Sequence, residues 1–166
     1  MIRFILAFSI LITGCSTISN KNNLNLIYKD NFHYGILNES LLINHNGYPW
    51  FEKQYNKYMP QINNIDIDLL NETSIKIFMG TWCHDSEREV PRFFKILNTL
   101  GYDQKHLQII GLNKDKKGYF NDYSHYKITN TPTIIFFKDA NEIGRIIEKP
   151  KGSLELEIQL ILEKAS

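Results

Sequence analysis

The chain predicts an α/β fold in which a central mixed β-sheet is flanked by helices, a βαβ unit being followed by a β-hairpin and a C-terminal helix. Three observations predict it. A short β-rich run, Ser74–Met79, is followed at once by a long stretch with helical apolar spacing and then by a second β-rich run. Two further strand-like runs lie close together near residues 133–147, with polar residues between them. The last apolar segment, residues 153–164, has the spacing of an amphipathic helix.

The elements follow in order. Residues 48–59, YPWFEKQYNKYM, place Trp50, Phe51, Tyr55 and Tyr58 at helical spacing, with Pro49 suited to the first turn. Such an aromatic stripe is core packing rather than a ligand box. In residues 74–79, SIKIFM, Ile75, Ile77 and Met79 alternate with Lys76 and Phe78, which predicts a strand. Gly80-Thr81-Trp82 turns the chain. From His84 to Leu100 the residues Val90, Phe93, Phe94, Leu97 and Leu100 recur with helical period, and Gly101 is placed to stop the helix. Residues 107–112 (LQIIGL) predict the parallel partner of the first strand, joined to it by a right-handed crossover. Residues 133–137 (TIIFF) and 142–147 (EIGRII) predict a hairpin, the gap carrying Asp139 and Asn141. The closing helix takes Ser153 as N-cap and buries Leu154, Ile158, Ile161 and Leu162.

Composition limits the partners. The chain has 166 residues, room for one domain and a short appendage, with 19 Lys+Arg against 18 Asp+Glu. No basic cluster of the kind that binds nucleic acid is present. The five histidines show no metal-ligand spacing, and no glycine-rich phosphate loop occurs, so neither metal nor other cofactor is expected.

The two cysteines have separate roles. The chain opens MIRFILAFSILITGCS: one Arg, an apolar run from Phe4 to Ile12, then small or polar residues. That is the pattern of a secretory signal, and a nine-residue run, with Ser9 inside it, is too short to span a bilayer, which takes roughly 20. Ile12-Thr13-Gly14-Cys15 resembles the lipobox of bacterial lipoproteins. The resemblance implies that residues 1–14 are removed and that Cys15 carries lipid. With Ser16 next, where an aspartate would signal inner-membrane retention, the expected address is the periplasmic side of the outer membrane. Residues 15–31, polar and Asn-rich, are expected to tether the lipid to a domain spanning 32–166.

Cys83 stands in GTWCHDSEREVPR, after a tryptophan and at the start of the predicted helix. There the unpaired amides of the first turn favour thiolate over thiol, and the thiolate is the attacking species in disulfide exchange. Taken alone, such a cysteine could equally be a small buried apolar residue. Four features in order resemble the thioredoxin superfamily over residues 74–166: Trp82-Cys83 between strand and helix; Pro91 eight residues on, where the family kinks its helix; Thr131-Pro132-Thr133, like the family's cis-proline loop; and TPTIIFFKDANEIGRI, like its closing strand-turn-strand. The resemblance implies a thioredoxin-like fold, Cys83 as nucleophile with Trp82 and Ser86 completing the catalytic set, and backbone at Thr131-Pro132 that binds a substrate strand.

Two departures qualify the activity. The family's C-x-x-C is here Cys83-His84-Asp85-Ser86, and the family's buried acid six residues before the cysteine is Ile77. A molecule acting alone therefore has no dithiol cycle. What remains is monothiol exchange through a mixed disulfide, with cysteine-containing envelope proteins or an external thiol reductant as partners and Ser86 donating a hydrogen bond to the thiolate. The alternative is a redox-inactive binding or assembly module using the cis-Pro groove. Arg88 and Arg92 are expected to pair with Asp85 and Glu87.

Overall fold

The computed structural model describes residues 25–164. Six strands form one sheet in the order β1-β2-β4-β3-β5-β6: β1 Leu26–Lys29, β2 Phe32–Leu37, β3 Ser74–Met79, β4 Leu107–Gly111, β5 Thr133–Lys138 and β6 Asn141–Ile147. Only β3 and β4 run parallel among these neighbours; every other pair is antiparallel. The helices are α1 Glu39–Asn44, α2 Pro49–Lys57, α3 Ile67–Asn71, α4 His84–Leu100 and α5 Leu154–Glu163. The expected mixed sheet, βαβ unit, hairpin and C-terminal helix are all present.

The two faces of β3 carry different cores. Ile75, Ile77 and Met79 point into the larger cluster with Phe93, Phe94 and Leu97 of α4, Phe51 of α2 and Ile158 and Leu162 of α5. The Phe51 and Phe94 rings meet at 5.7 Å, which fixes α2 across α4. Phe78 faces the other way, with Ile110, Leu112 and Ile135. That second face is covered by Tyr123, Tyr126 and Ile128 from the β4–β5 connection, a loop with one 3-10 turn at Ser124–Tyr126.

Local chemistry places the ends of the elements. Gly101 takes a left-handed φ of 74°, and Tyr102 N–H returns to the Leu97 carbonyl at 3.0 Å, closing α4 as its glycine predicts. Ser153 Oγ accepts the Leu156 amide at 3.1 Å and caps α5, whose buried face holds the four residues expected of it. Pro49 occupies the first turn of α2. On that helix Tyr58 donates to Glu155 at the start of α5, 2.9 Å away, and burial beside this carboxylate drives the phenol well above its usual range.

The N-terminal boundary requires a correction. The signal at residues 1–14 and the lipidation position Cys15 lie outside the described residues. The tether expected over 15–31, however, gives way to folded chain within its span, because Leu26–Lys29 pairs as β1 with β2. Leu26 packs on the main core, and Asp30 and Asn31 make the two-residue turn, both with positive φ (52° and 67°). Burial of Leu26 and the added ladder outweigh the polar composition around them. Helices α1 and α3, together with β2, were likewise not anticipated.

Candidate active site

The site forms where β3 ends. After Met79 the chain turns through Gly80-Thr81-Trp82, and Cys83 becomes the N-cap of α4. Its amide donates to the Gly80 carbonyl at 3.0 Å, and its own carbonyl accepts from Glu87 at 2.9 Å, the first bond of the helix. Cys83 caps the helix with its backbone, and its side chain makes no hydrogen bond to the first-turn amides.

From the opposite side comes the loop before β5. The Thr131–Pro132 peptide bond is cis. Cys83 is half-buried, and its Sγ donates to the Thr131 carbonyl oxygen at 3.1 Å. Thr131 and Pro132 are themselves buried, so the contact presents backbone rather than side chains to the sulfur. The loop is tied down by the Glu148 amide on the Pro132 carbonyl (2.7 Å), by Thr133 Oγ1 on the Asn130 carbonyl (2.7 Å), and by Asn130 Nδ2 on the Glu148 carboxylate (2.8 Å).

Trp82 and Ser86 hold the turn. The Trp82 Nε1 donates to the Leu112 carbonyl at 2.9 Å, just past β4, and its ring lies against Gly80 so closely that a Cβ there would fall 2.4 Å from it. Glycine is required at position 80 for this reason alone. Ser86 is fully buried and its Oγ accepts from the Gly80 amide at 3.3 Å. The hydrogen bond expected from Ser86 to the Cys83 sulfur is not formed among the described residues. One turn into α4, the hydroxyl meets the inward-facing Gly80 amide, which would otherwise be buried without a partner.

Of the expected charge pairs in the first turns, that of Arg88 with Asp85 forms, and that of an arginine with Glu87 does not. His84, almost wholly exposed, pairs with Glu87 at 3.3 Å. Arg88 pairs with Asp85 at 2.6 Å and also with Glu89, and Arg92 reaches Glu89 at 3.5 Å. Glu89, one turn beyond Asp85, is buried on the face that both guanidinium groups cover, and so displaces Glu87 as a partner. Ile77, at the position of the family's acid, is fully buried.

Sequence inspection did not find a second group of residues at this turn. Thr81 is buried, and its Oγ1 accepts the His33 amide of β2 at 3.1 Å; the same amide lies 3.1 Å from the Tyr48 hydroxyl. His33 Nδ1 is 2.8 Å from that hydroxyl. Burial, with His45 nearby, holds His33 below the usual histidine range. No spacing in the sequence joins positions 33, 48 and 81; only the pairing of β2 with β4 brings them together. Among the described residues no group of three or more His, Cys, Asp or Glu is placed to hold a metal ion.

No family model matches the chain. It is similar to a protein described as thioredoxin from Chlamydia pneumoniae, with 27% identity over 84 residues, covering 51% of this chain and 76% of the relative. Among solved structures it is similar to mitochondrial thioredoxin 3 from Saccharomyces cerevisiae in its oxidized form, at 19% identity with a TM-score of 0.38, covering 64% of this chain and 97% of that one. It is also similar to thioredoxin O2 from Arabidopsis thaliana in the oxidized state, at 18% identity and a TM-score of 0.38, covering 69% and 84%.

Proposed function

We propose that this chain, which is similar to a protein described as thioredoxin, carries out monothiol exchange at Cys83 on envelope proteins. One observation supports this above the rest: a half-buried sulfur at the N-cap of α4, 3.1 Å from the carbonyl that precedes a cis proline.

The chemistry balances with one thiol. Cys83 loses its proton to solvent, and the thiolate attacks a substrate disulfide; the Cys83–substrate S–S bond forms as the substrate's own S–S bond breaks. The departing sulfur leaves as a thiolate and takes up a proton. A second thiol then attacks the substrate sulfur of the mixed disulfide and releases Cys83. Where that thiol belongs to the substrate, the outcome is isomerisation. Where an external thiol reductant supplies it and a further equivalent completes its own disulfide, the substrate is reduced. Ser86 cannot resolve the adduct, having no sulfur. Trp82 and Ser86 act here by holding the turn, and Thr131-Pro132 offers backbone to the incoming strand.

The address is part of the same proposal: lipid on Cys15, anchoring the domain on the periplasmic side of the outer membrane. Metabolic labelling with palmitate should mark the protein and fail to mark Cys15→Ala.

The activity is tested by incubating the protein with envelope extract beside Cys83→Ala and separating both without reductant. Discrete adducts that reductant releases, absent from Cys83→Ala, are the expected result. No adduct in either lane would favour the redox-inactive binding or assembly module, for which the missing second thiol and the buried Ile77 argue.

A further inference from the structure

The turn that carries Cys83 is held from three directions, and one of them has no part in the exchange chemistry described above. Trp82 ties it to β4 through the Leu112 carbonyl, and Ser86 ties it to α4 through the Gly80 amide. The third tie runs from Thr81 to His33 and Tyr48, two buried residues contributed by β2 and by the N-cap of α2. From these contacts we infer that His33 and Tyr48 are positioning residues for Cys83, acting through the Thr81 hydroxyl. The inference rests on the monothiol reading given above.

The hydrogen bonds close on themselves. The His33 amide is shared between the Tyr48 hydroxyl and Thr81 Oγ1, 3.1 Å from each. With His33 neutral, its bare Nδ1 accepts the Tyr48 proton at 2.8 Å. The Thr81 hydroxyl is then left to bond the Tyr48 oxygen. Among the described residues no buried side-chain nitrogen or oxygen lacks a partner, and a satisfied buried network specifies one arrangement. Its surroundings keep it so. Tyr28 of β1 lies 4.7 Å from the His33 ring, and His45, at the C-cap of α1, lies 4.8 Å away edge-on. The His45 Nδ1 accepts the Gly47 amide at 3.1 Å.

Thr81 is two residues before the nucleophile. Releasing its side chain leaves the turn free to rotate about Gly80, which moves the sulfur relative to both the α4 amides and the Thr131 carbonyl. Small misplacements of a reacting group are costly in rate. A purely structural node would lower stability without touching the thiol.

The test compares Tyr48→Phe, His33→Leu and His33→Asn in the full chain, following alkylation at the Cys83 peptide by mass spectrometry across pH. Asn keeps an acceptor where Nδ1 stands. Tyr102→Phe is the control. It loses a buried hydroxyl bond to the Thr73 carbonyl, beside the opposite end of β3, and reports the effect of lost stability alone. Tyr48→Phe and His33→Leu should slow alkylation of Cys83 at neutral pH relative to the parent. They should also slow reaction with an aryl disulfide about tenfold at neutral pH. His33→Asn should restore both. If Tyr48→Phe does not fold, Thr81→Val makes the same cut. Variants that melt lower but alkylate as Tyr102→Phe does would overturn the inference alone. A parent thiol that does not alkylate even at high pH would remove the proposed function with it.

Discussion

The Ser86 side chain is fully buried and accepts the Gly80 amide, so a thiol in its place would sit inside the first turn of α4, one helical turn from Cys83. Positions i and i+3 share a helix face, close enough for the two sulfurs to meet. Ser86→Cys should therefore form an internal disulfide with Cys83, seen as two thiols fewer on titration after mild oxidation. The same variant should clear mixed disulfides with envelope proteins at least about tenfold faster than the parent, since resolution becomes intramolecular. Adducts equally persistent in parent and variant would mean that the serine is not what makes them last. At this scale the sequence was informative about Cys83 and much less so about its neighbours. A cysteine after Trp and before a helical run announces its own position. The partner of a buried hydroxyl is a matter of a few tenths of an ångström in the turn, and residue order does not carry it.

At the scale of elements, both edges of the sheet end in the same device. The β1–β2 turn is Asp30-Asn31 and the β5–β6 turn is Asp139-Ala140, and all four residues have positive φ. Two-residue turns of this hand suit the twist of the strands they join, and they favour Asn, Asp or Gly. Ala140, at φ 63°, is the one residue of the four with neither a side chain that bonds locally nor a glycine's freedom. Ala140→Gly should relieve that strain and gain up to about 1 kcal/mol, part of it returned as unfolded-chain entropy. Chemical denaturation would read the gain as a higher midpoint with an unchanged slope. The second hairpin was legible because its strands are rich in Ile and Phe. The first was not, although Asp-Asn is a turn signal, because its strands carry Lys29, His33 and Gly35 in Asn-rich surroundings. Gly35 has its own reason: at φ 102° a Cβ would fall 1.9 Å from the Asn25 carbonyl.

Across the whole molecule, the node of His33, Tyr48 and Thr81 couples the added N-terminal layer to the rest of the sheet, and this coupling has a pH signature. His33 is held neutral in the fold, its value lying below the 6.5 of an unfolded chain, with Tyr28, His45 and Tyr48 the titratable groups facing it. Below that value the unfolded chain binds a proton that the folded chain resists. The contribution is complete above about pH 6.5 and is lost as the pH falls from there toward the lowered folded value. Urea midpoints measured between pH 7.5 and 5 should drop with acid in the parent and drop less in His33→Asn, which has nothing to titrate. Parallel curves for the two proteins would exclude His33 as the source.

The sequence by itself determined the order of β3, α4, β4, β5, β6 and α5, the helix stop at Gly101, the cap at Ser153 and the location of the one thiol in the domain. These follow from local rules, in which apolar periodicity, a glycine or a capping hydroxyl acts within a few residues of itself. The tertiary structure alone decided that Leu26–Lys29 joins the sheet, that a loop rather than a helix covers Phe78, and that Glu89 takes both arginines. It also brought Thr131 to Cys83, 48 residues away, and His33 to Thr81, also 48 away. Such contacts depend on which strands lie side by side, and that order is set by the free energy of the whole core rather than by any segment of it.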